Sequence, residues 1–162
     1  MKTLIVYYSL DGNTEYVANK IAVIAEADTL RLFPKKAYKD KGVSKFLWGG
    51  KSAVMGESPA LEPYDIDLAK YETVVFGFPV WASRFAPPLR TFIQDNFDSL
   101  KGKRFLSFAC QSGSGAEKAF AKLEKLLEAS LKKRVVFIDP KDKASEEKDK
   151  KIAKFGDLIK LD

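Results

Sequence analysis

The sequence predicts an α/β protein in which helices cover both faces of a five-stranded parallel sheet. Short apolar runs alternate with helical patterns along the whole chain. Strands that are separated by helices are joined by crossover connections, which make neighbouring strands parallel. The 162 residues fit one domain and show neither a linker nor an internal repeat, so we expect a single domain over residues 1–162.

The chain begins with a predicted strand and helix. Residues 4–8 are apolar, β-branched and aromatic, which is typical of a strand buried on both faces. Within residues 14–26, Val17, Ile21 and Ile24 recur at helical spacing. A strand, a tight loop and a helix therefore open the chain.

The next segment is the least regular. Residues 29–33 alternate in polarity and predict a strand nearer the sheet edge. Residues 34–70 predict mainly loop, with a short helix within 43–54 that turns Phe46 and Leu47 inward.

The second half of the chain predicts three more strands, each followed by a helix. The strands span residues 73–78, 104–109 and 134–138. Pro87 and Pro88 open the first of these helices, because proline is tolerated in the first turn. The second helix spans residues 116–131, and Ser145 caps the third. The apolar stripes of the three helices are Leu89, Phe92, Ile93 and Phe97, then Ala119, Phe120, Leu123, Leu126 and Leu127, then Ile152, Phe155, Leu158 and Ile159.

Composition narrows the possible chemistry. The chain has no histidine and one cysteine, Cys110, which excludes Ser-His-Asp and Cys-His catalysis and any internal disulfide. A cofactor with its own reactivity is the simplest alternative.

The net charge is +6, but the lysines are interleaved with acids, so we expect a solvated surface and no nucleic-acid partner. The sequence has no signal peptide and no apolar stretch of the ~20 residues that span a bilayer, so we expect a cytoplasmic protein without a membrane span.

The first of three candidate loops follows the first strand. It consists of Ser9, Leu10, Asp11, Gly12, Asn13 and Thr14. Gly12 and Asn13 tolerate positive φ, so successive N–H groups can point at one anion beside a helix N-terminus. Ser9 and Thr14 add hydroxyl donors, and the loop has no lysine or arginine, so N–H and O–H groups alone would hold a phosphate. The alternative is a tight turn in which Thr14 caps the helix.

Two further loops follow central strands at the same predicted edge of the sheet, where open parallel sheets bind ligands. The second loop could wall a planar ligand with Pro79, Val80, Trp81, Ala82 and Phe85. The third brings small residues that let backbone approach a ligand, and its candidates are Cys110, Gln111, Ser112, Gly113 and Gly115. The alternatives are aromatic side chains tucked into the core, and a loop that only caps the next helix.

Together and in this order, the three loops resemble the flavodoxin family. The family's first loop has the form Thr/Ser-x-Thr-Gly-Asn-Thr, and residues 9–14 here are Ser-Leu-Asp-Gly-Asn-Thr. Residues 77–81, with Pro87 and Pro88 opening the next helix, are similar to a bacterial and archaeal branch of the family. The uninterrupted last strand resembles the short-chain form, and the resemblance covers the whole chain.

The resemblance implies a flavodoxin-like three-layer sandwich with strand order 2-1-3-4-5 and non-covalently bound FMN. It implies that residues 9–14 bind the phosphate, that residues 78–82 and 110–115 flank the isoalloxazine, and that there is no metal site. The implied function is electron transfer with redox partner proteins or a small-molecule acceptor. The alternative is an NAD(P)H-dependent reductase of quinones or similar small acceptors.

Three departures from the family pattern modify these expectations. Asp11 stands where the family has a hydroxyl residue. Because its carboxylate would repel a phosphate, we expect its side chain to face away and cap the turn. The third loop has no aromatic residue, which leaves one ring face open to a substrate or to nicotinamide. Carriers of this family are acidic, whereas this chain is basic.

Overall fold

A parallel sheet forms the centre of the molecule. The computed structural model describes residues 2–38, 51 and 53–161. The parallel strands are β1 (Thr3–Tyr7), β2 (Asp28–Arg31), β3 (Thr73–Trp81), β5 (Arg104–Gln111) and β6 (Leu131–Ile138), and the short β4 (Arg84–Phe85) pairs antiparallel with β3. The sheet order is β2-β1-β3-β5-β6. Counted among themselves, the parallel strands have the order 2-1-3-4-5, which confirms the predicted fold; β4 was not predicted.

The helices that connect these strands lie on both faces of the sheet. They are α1 (Asn13–Ala25), α2 (Pro87–Asp95), α3 (Phe97–Leu100), α4 (Ala116–Leu127) and α5 (Glu146–Lys160), and a 3-10 turn spans Leu68–Lys70. The prediction that proline opens a helix is confirmed, since α2 begins at Pro87. The prediction that Ser145 caps the last helix is also confirmed, since its hydroxyl accepts the N–H of Lys148 at 3.2 Å. None of the helices in the described part of the chain is long and apolar enough to cross a membrane.

The predicted helix within residues 43–54 is described only at its end. Lys51, Ala53 and Val54 are helical. The rest of that prediction, including Phe46 and Leu47, lies outside the described residues.

Two apolar cores lie on opposite faces of the sheet, because successive residues of a strand point to opposite sides. In β1, Leu4 and Val6 join the core that contains the apolar faces of α2 and α4. Ile5 and Tyr7 join the other core, with α1 and α5. A strand buried on both faces explains the continuous apolar run, and the pairing of β1 with β3 places their following loops side by side at the carboxyl edge.

Some element boundaries and stripes differ from the predictions. The strand predicted at residues 29–33 ends at Arg31. The predicted stripe residues are buried apart from four that are only half-buried, namely Ile24, Phe97, Leu126 and Leu158.

The connection between α4 and β6 lies earlier in the chain than predicted. α4 ends at Leu127 because Glu128 adopts the left-handed conformation (φ 52°) and turns the chain. The Glu124 carboxylate then accepts the N–H of Leu131 at 2.8 Å, where β6 begins. Residues 132–134 are basic and exposed on this edge strand, so they interrupt the apolar run on which the prediction of a strand relies.

Candidate functional site

A cavity opens at the carboxyl ends of β1, β3, β5 and β6. The residues that line it are Asp11, Asn13, Pro79, Val80, Trp81, Cys110, Gln111, Ser112, Gly113, Ser114, Asp139 and Pro140. The three predicted loops therefore meet in one place, and a fourth segment that begins at Asp139 joins them.

The first loop holds two buried hydroxyl groups that lack hydrogen-bond partners. Ser9 is 4% exposed and Thr14 is 1% exposed. Neither Ser9 Oγ nor Thr14 Oγ1 has a partner within the described part of the chain. The Thr14 hydroxyl lies near the Cys110 sulfur, but a thiol is a weak partner and does not satisfy it. Because buried polar groups are normally bonded, these two hydroxyls beside a helix N-terminus favour a ligand with acceptor oxygens that the described residues do not supply.

The backbone of the same loop turns at Gly12, immediately before α1. Gly12 has a φ of 98° and occupies the N-cap position, where backbone N–H groups of the first helical turn have no intrahelical partner. The Asp11 carboxylate accepts the N–H of Asn13 at 3.1 Å, so it caps the turn as expected. Asp11 nevertheless lines the cavity, and its carboxylate uses one of the loop's N–H groups. Leu10 is half-buried and packs on the core.

Asn13 connects the first loop to the segment that follows β6. Its side-chain oxygen accepts the N–H of Lys141 at 2.9 Å and that of Asp142 at 3.4 Å. Its side-chain nitrogen donates to the Asp142 carboxylate at 2.9 Å. We call residues 139–143 the strap, because Asn13 fixes this segment beside the N-terminus of α1.

The second loop is the tip of a β-hairpin. Val80 pairs with Phe85 and Trp81 with Arg84, and the two residues between them, Ala82 and Ser83, have φ values of 49° and 59°. Positive φ at both positions defines a type I′ turn, whose twist matches that of the paired strands. Gly115, with a φ of 108°, packs so closely on this tip that a Cβ there would lie 2.9 Å from Ser83 Cα.

The structure separates the candidates of the second loop. Pro79, Val80 and Trp81 line the cavity. Ala82 is exposed at the hairpin tip. Phe85 is 2% exposed, packs edge-on against Phe78 and does not line the cavity. Its position matches the alternative prediction, in which an aromatic side chain of this loop packs into the core.

A cluster of three aromatic rings supports the cavity wall. Trp81 lies edge-on to Tyr8, with ring centroids 5.7 Å apart, and to Tyr38, at 5.1 Å. Tyr8 and Tyr38 are 6.0 Å apart. Trp81 therefore has its position fixed from two sides while it still borders the cavity. Tyr38 lies in the irregular segment, where no periodicity of the sequence points to it.

The third loop begins with a cysteine that packs rather than reacts. Cys110 lines the cavity but is 4% exposed. Burial raises the pKa of its thiol to about 12. The thiolate, which is the reactive form, is therefore scarce at neutral pH.

The polar side chains of the third loop already have partners within the protein. The Gln111 side-chain oxygen accepts the N–H of Ala116 at 3.1 Å and so caps α4. The Ser112 hydroxyl donates to the Asp139 carboxylate at 2.6 Å. Gly113 lines the cavity, and Gly115 is the N-cap of α4. Gln111 and Ser112 thus brace the loop, and its backbone and small residues face the cavity.

Asp139 is the main site residue that the sequence analysis missed. It is 9% exposed, and Lys143 lies 3.3 Å from its carboxylate. The Ser112 hydrogen bond, helped by Lys143, holds the pKa of Asp139 below its usual range despite burial. Its position directly after a predicted strand was the available signal, since that strand ends at the same sheet edge as the three loops. Neither ring-side loop contains an acid, but the fold brings this carboxylate to them.

Comparison with known proteins agrees with this architecture. The flavodoxin family model matches residues 2–150. A flavoprotein from Lactobacillus acidophilus in complex with FMN superposes with a TM-score of 0.72 at 20% identity, over 83% of this chain and 92% of that one. A flavoprotein from Bacteroides uniformis gives 0.72 at 26% identity, over 94% and 97%. A flavodoxin from an archaeon gives 0.62 at 18% identity, over 99% and 96%. The chain belongs to the flavodoxin family.

Proposed function

We propose that this protein binds FMN non-covalently in the cavity and transfers electrons through it. The observation that carries the proposal is the pair of buried hydroxyls of Ser9 and Thr14 at the N-terminus of α1, for which the described residues provide no hydrogen-bond partner. An anion with several acceptor oxygens would satisfy them together with the free N–H groups of the helix start. The FMN of the relative from Lactobacillus acidophilus is consistent with that ligand.

The residues present fit the phosphate end of FMN. Ser9 and Thr14 can donate O–H groups, and the turn at Gly12 begins α1, whose first backbone N–H groups have no intrahelical acceptor. The partial positive charge of the helix N-terminus adds to these donors. A phosphate bound here would compete with the Asp11 carboxylate for the N–H of Asn13.

The remaining lining residues fit the flavin ring. Pro79, Val80 and Trp81 form an apolar wall that excludes water from one side. The small residues of the third loop let their backbone approach the ring edge. When bound, the isoalloxazine accepts and returns electrons, and the protein sets how readily it does so by the charges and dipoles around it. Asp139, paired with Lys143, is the acid that the segment after β6 contributes to that environment.

The visible spectrum of the protein purified from cells, with and without added FMN, tests the proposal. We expect flavin absorbance that stays with the protein through gel filtration. Thr14→Val removes one buried hydroxyl at nearly constant volume, and we expect FMN binding to weaken by about 10- to 150-fold, because a hydrogen bond to a charged group is worth roughly 1.5–3 kcal/mol.

Thr73→Val is the matched control. Thr73 is 3% exposed and begins β3, at the opposite end of the strand from the cavity, so its replacement should leave FMN affinity unchanged. A protein that stays colourless with excess FMN would remove the basis of the proposal.

A second candidate function is an NAD(P)H-dependent reductase of quinones or similar small acceptors. The observation that favours it is the wall formed by Ser112, Gly113 and Ser114, which are exposed and carry no aromatic ring. A nicotinamide or quinone could reach the flavin from that side. Steady turnover of NADPH with a quinone by the FMN-loaded protein would favour the reductase, and its absence would favour the carrier.

A further inference from the structure

The side chain of Lys141 lies across the first loop of the site. A Cβ added to Gly12 would be 2.8 Å from Lys141 Nζ, 3.5 Å from Cδ and 3.6 Å from Cε. The lysine stem therefore occupies the space above this glycine, although the two residues lie far apart in the sequence. We propose that Lys141 supplies a cationic ligand to the phosphate group that the 9–14 loop binds, an inference that rests on the proposed function.

The position of Lys141 is fixed by its backbone. Asn13 is 5% exposed and accepts the N–H of Lys141 at 2.9 Å, and it also donates to the Asp142 carboxylate. Asn13 thus belongs both to the loop that would hold the phosphate and to the contact that holds the strap. The ammonium group is delivered to the helix N-terminus by a rigid attachment point, which reduces the entropy lost when it binds.

The ammonium group of Lys141 would offset the negative charge of a phosphate bound at this loop. A phosphate monoester carries a charge between −1.5 and −2 near neutral pH, and residues 9–14 include no lysine or arginine to offset it. Lys141 forms no ion pair with any other residue that the structure describes, whereas the neighbouring Lys143 is paired with Asp139. Lys141 is thus a lysine of the strap whose charge is available to a ligand at Gly12.

The buried hydroxyls of the same loop are a second observation that favours a bound anion. Ser9 Oγ and Thr14 Oγ1 are buried and lack partners among the described residues. Two hydroxyl donors and the helix N-terminus thus belong to this loop, and the ammonium group of Lys141 lies against its glycine. Residues 9–14 include no lysine or arginine. The fold instead places Lys141, from the C-terminal part of the chain, beside Gly12.

The test compares FMN with riboflavin, which lacks the phosphate, for the wild type and for Lys141→Gln. We expect Lys141→Gln to weaken FMN binding about tenfold at low salt, because charge-assisted hydrogen bonds are roughly twice as strong as neutral ones. Riboflavin affinity should be unchanged. The loss of FMN affinity should shrink as salt is raised, since the lysine is exposed and its charge is screened.

Two further variants sharpen the comparison. Lys141→Arg keeps the charge and should retain most of the FMN affinity. Lys150→Gln removes the same unit of charge from an exposed position on α5, where Lys150 pairs with Glu146, and should leave both affinities unchanged.

Each outcome decides a separate claim. If the wild type binds FMN and Lys141→Gln binds it equally well, the role of Lys141 is overturned while the proposed function stands. If Lys141→Gln weakens riboflavin as much as FMN, the lysine acts through the shape of the strap, and the inference is also overturned. If the wild type binds neither flavin, both the inference and the proposed function fall.

Discussion

At the scale of single residues, Asp11 places a carboxylate in the first loop of the site. Its carboxylate accepts the N–H of Asn13 at 3.1 Å, in the loop that is proposed to bind a phosphate. The prediction that Asp11 caps the turn was possible from sequence, because aspartate often bonds the backbone two residues on. That it also lines the cavity could not be predicted, since side-chain orientation in a loop depends on contacts made by the whole fold.

Replacing Asp11 should therefore tighten FMN binding. Asp11→Thr removes the negative charge and restores the hydroxyl of the family pattern, and we expect a three- to tenfold lower dissociation constant by fluorescence titration. Asp11→Asn removes the charge but keeps an oxygen that can accept the Asn13 N–H, so its gain should be smaller. Weaker binding in both variants would mean that the carboxylate organises the loop for its ligand rather than competing with it.

Cys110 leads to a prediction about alkaline stability. Its thiol has a pKa of about 12 in the folded protein and about 8.5 in an unfolded chain. A raised pKa stabilises the fold fully below the unfolded value, and this contribution is lost as pH rises from about 8.5 towards 12. Between pH 7 and 10 the expected loss is about 2 kcal/mol.

Urea unfolding of the wild type and of Cys110→Ser at pH 7 and 10 measures this loss. Serine does not titrate in the range, so the variant should lose about 2 kcal/mol less than the wild type over the same interval. Native Cys110 should also react slowly with thiol reagents at pH 7. Fast labelling of the folded protein would contradict the burial of this side chain.

At the scale of elements, the hairpin of β3 and β4 shows why a turn could not be predicted from its local sequence. Ala82 and Ser83 form a type I′ turn without the asparagine and glycine that usually announce one. The turn is held by tertiary contacts, because Gly115 packs on Ser83 and the Lys122 ammonium donates to the Ser83 carbonyl at 3.3 Å. Contacts between distant segments impose this conformation, so the local sequence carries no signal for it.

The strain in this turn predicts an unusual effect of glycine. Left-handed backbone costs a residue other than glycine roughly 1–2 kcal/mol, while glycine gains about 0.4–1 kcal/mol of unfolded-state freedom. Ala82→Gly should therefore stabilise the protein by about 0.5–1 kcal/mol in urea unfolding. The same change at Ala121, exposed within α4, should destabilise it by about 1 kcal/mol. Equal destabilisation at both positions would contradict the positive φ of Ala82.

At the scale of the whole molecule, the sequence pattern was sufficient for a parallel sheet covered by helices and for three loops at its carboxyl edge, whereas the strand order was predicted from the resemblance to the flavodoxin family. The sheet and its loops follow from apolar runs, helical periodicity and local turn chemistry, all of which are properties of short segments. The strap and the aromatic contacts of Trp81 could not be predicted. They depend on which segments the crossovers bring together, as when β6 ends beside β5 and delivers Asp139 to Ser112.

A ligand bound among segments from four strands should stabilise the molecule as a unit. Global unfolding would separate the loop after β1, the hairpin, the third loop and the strap, so it must release the ligand. At an FMN concentration of 100 times its dissociation constant, mass action adds about 2.7 kcal/mol. For a chain of 162 residues this raises the unfolding midpoint by roughly 5–10 °C. Riboflavin at the same molar concentration should give a smaller shift, because it cannot satisfy the hydroxyls of Ser9 and Thr14. Differential scanning fluorimetry measures both shifts, and equal shifts for the two flavins would mean that the phosphate loop contributes nothing to binding.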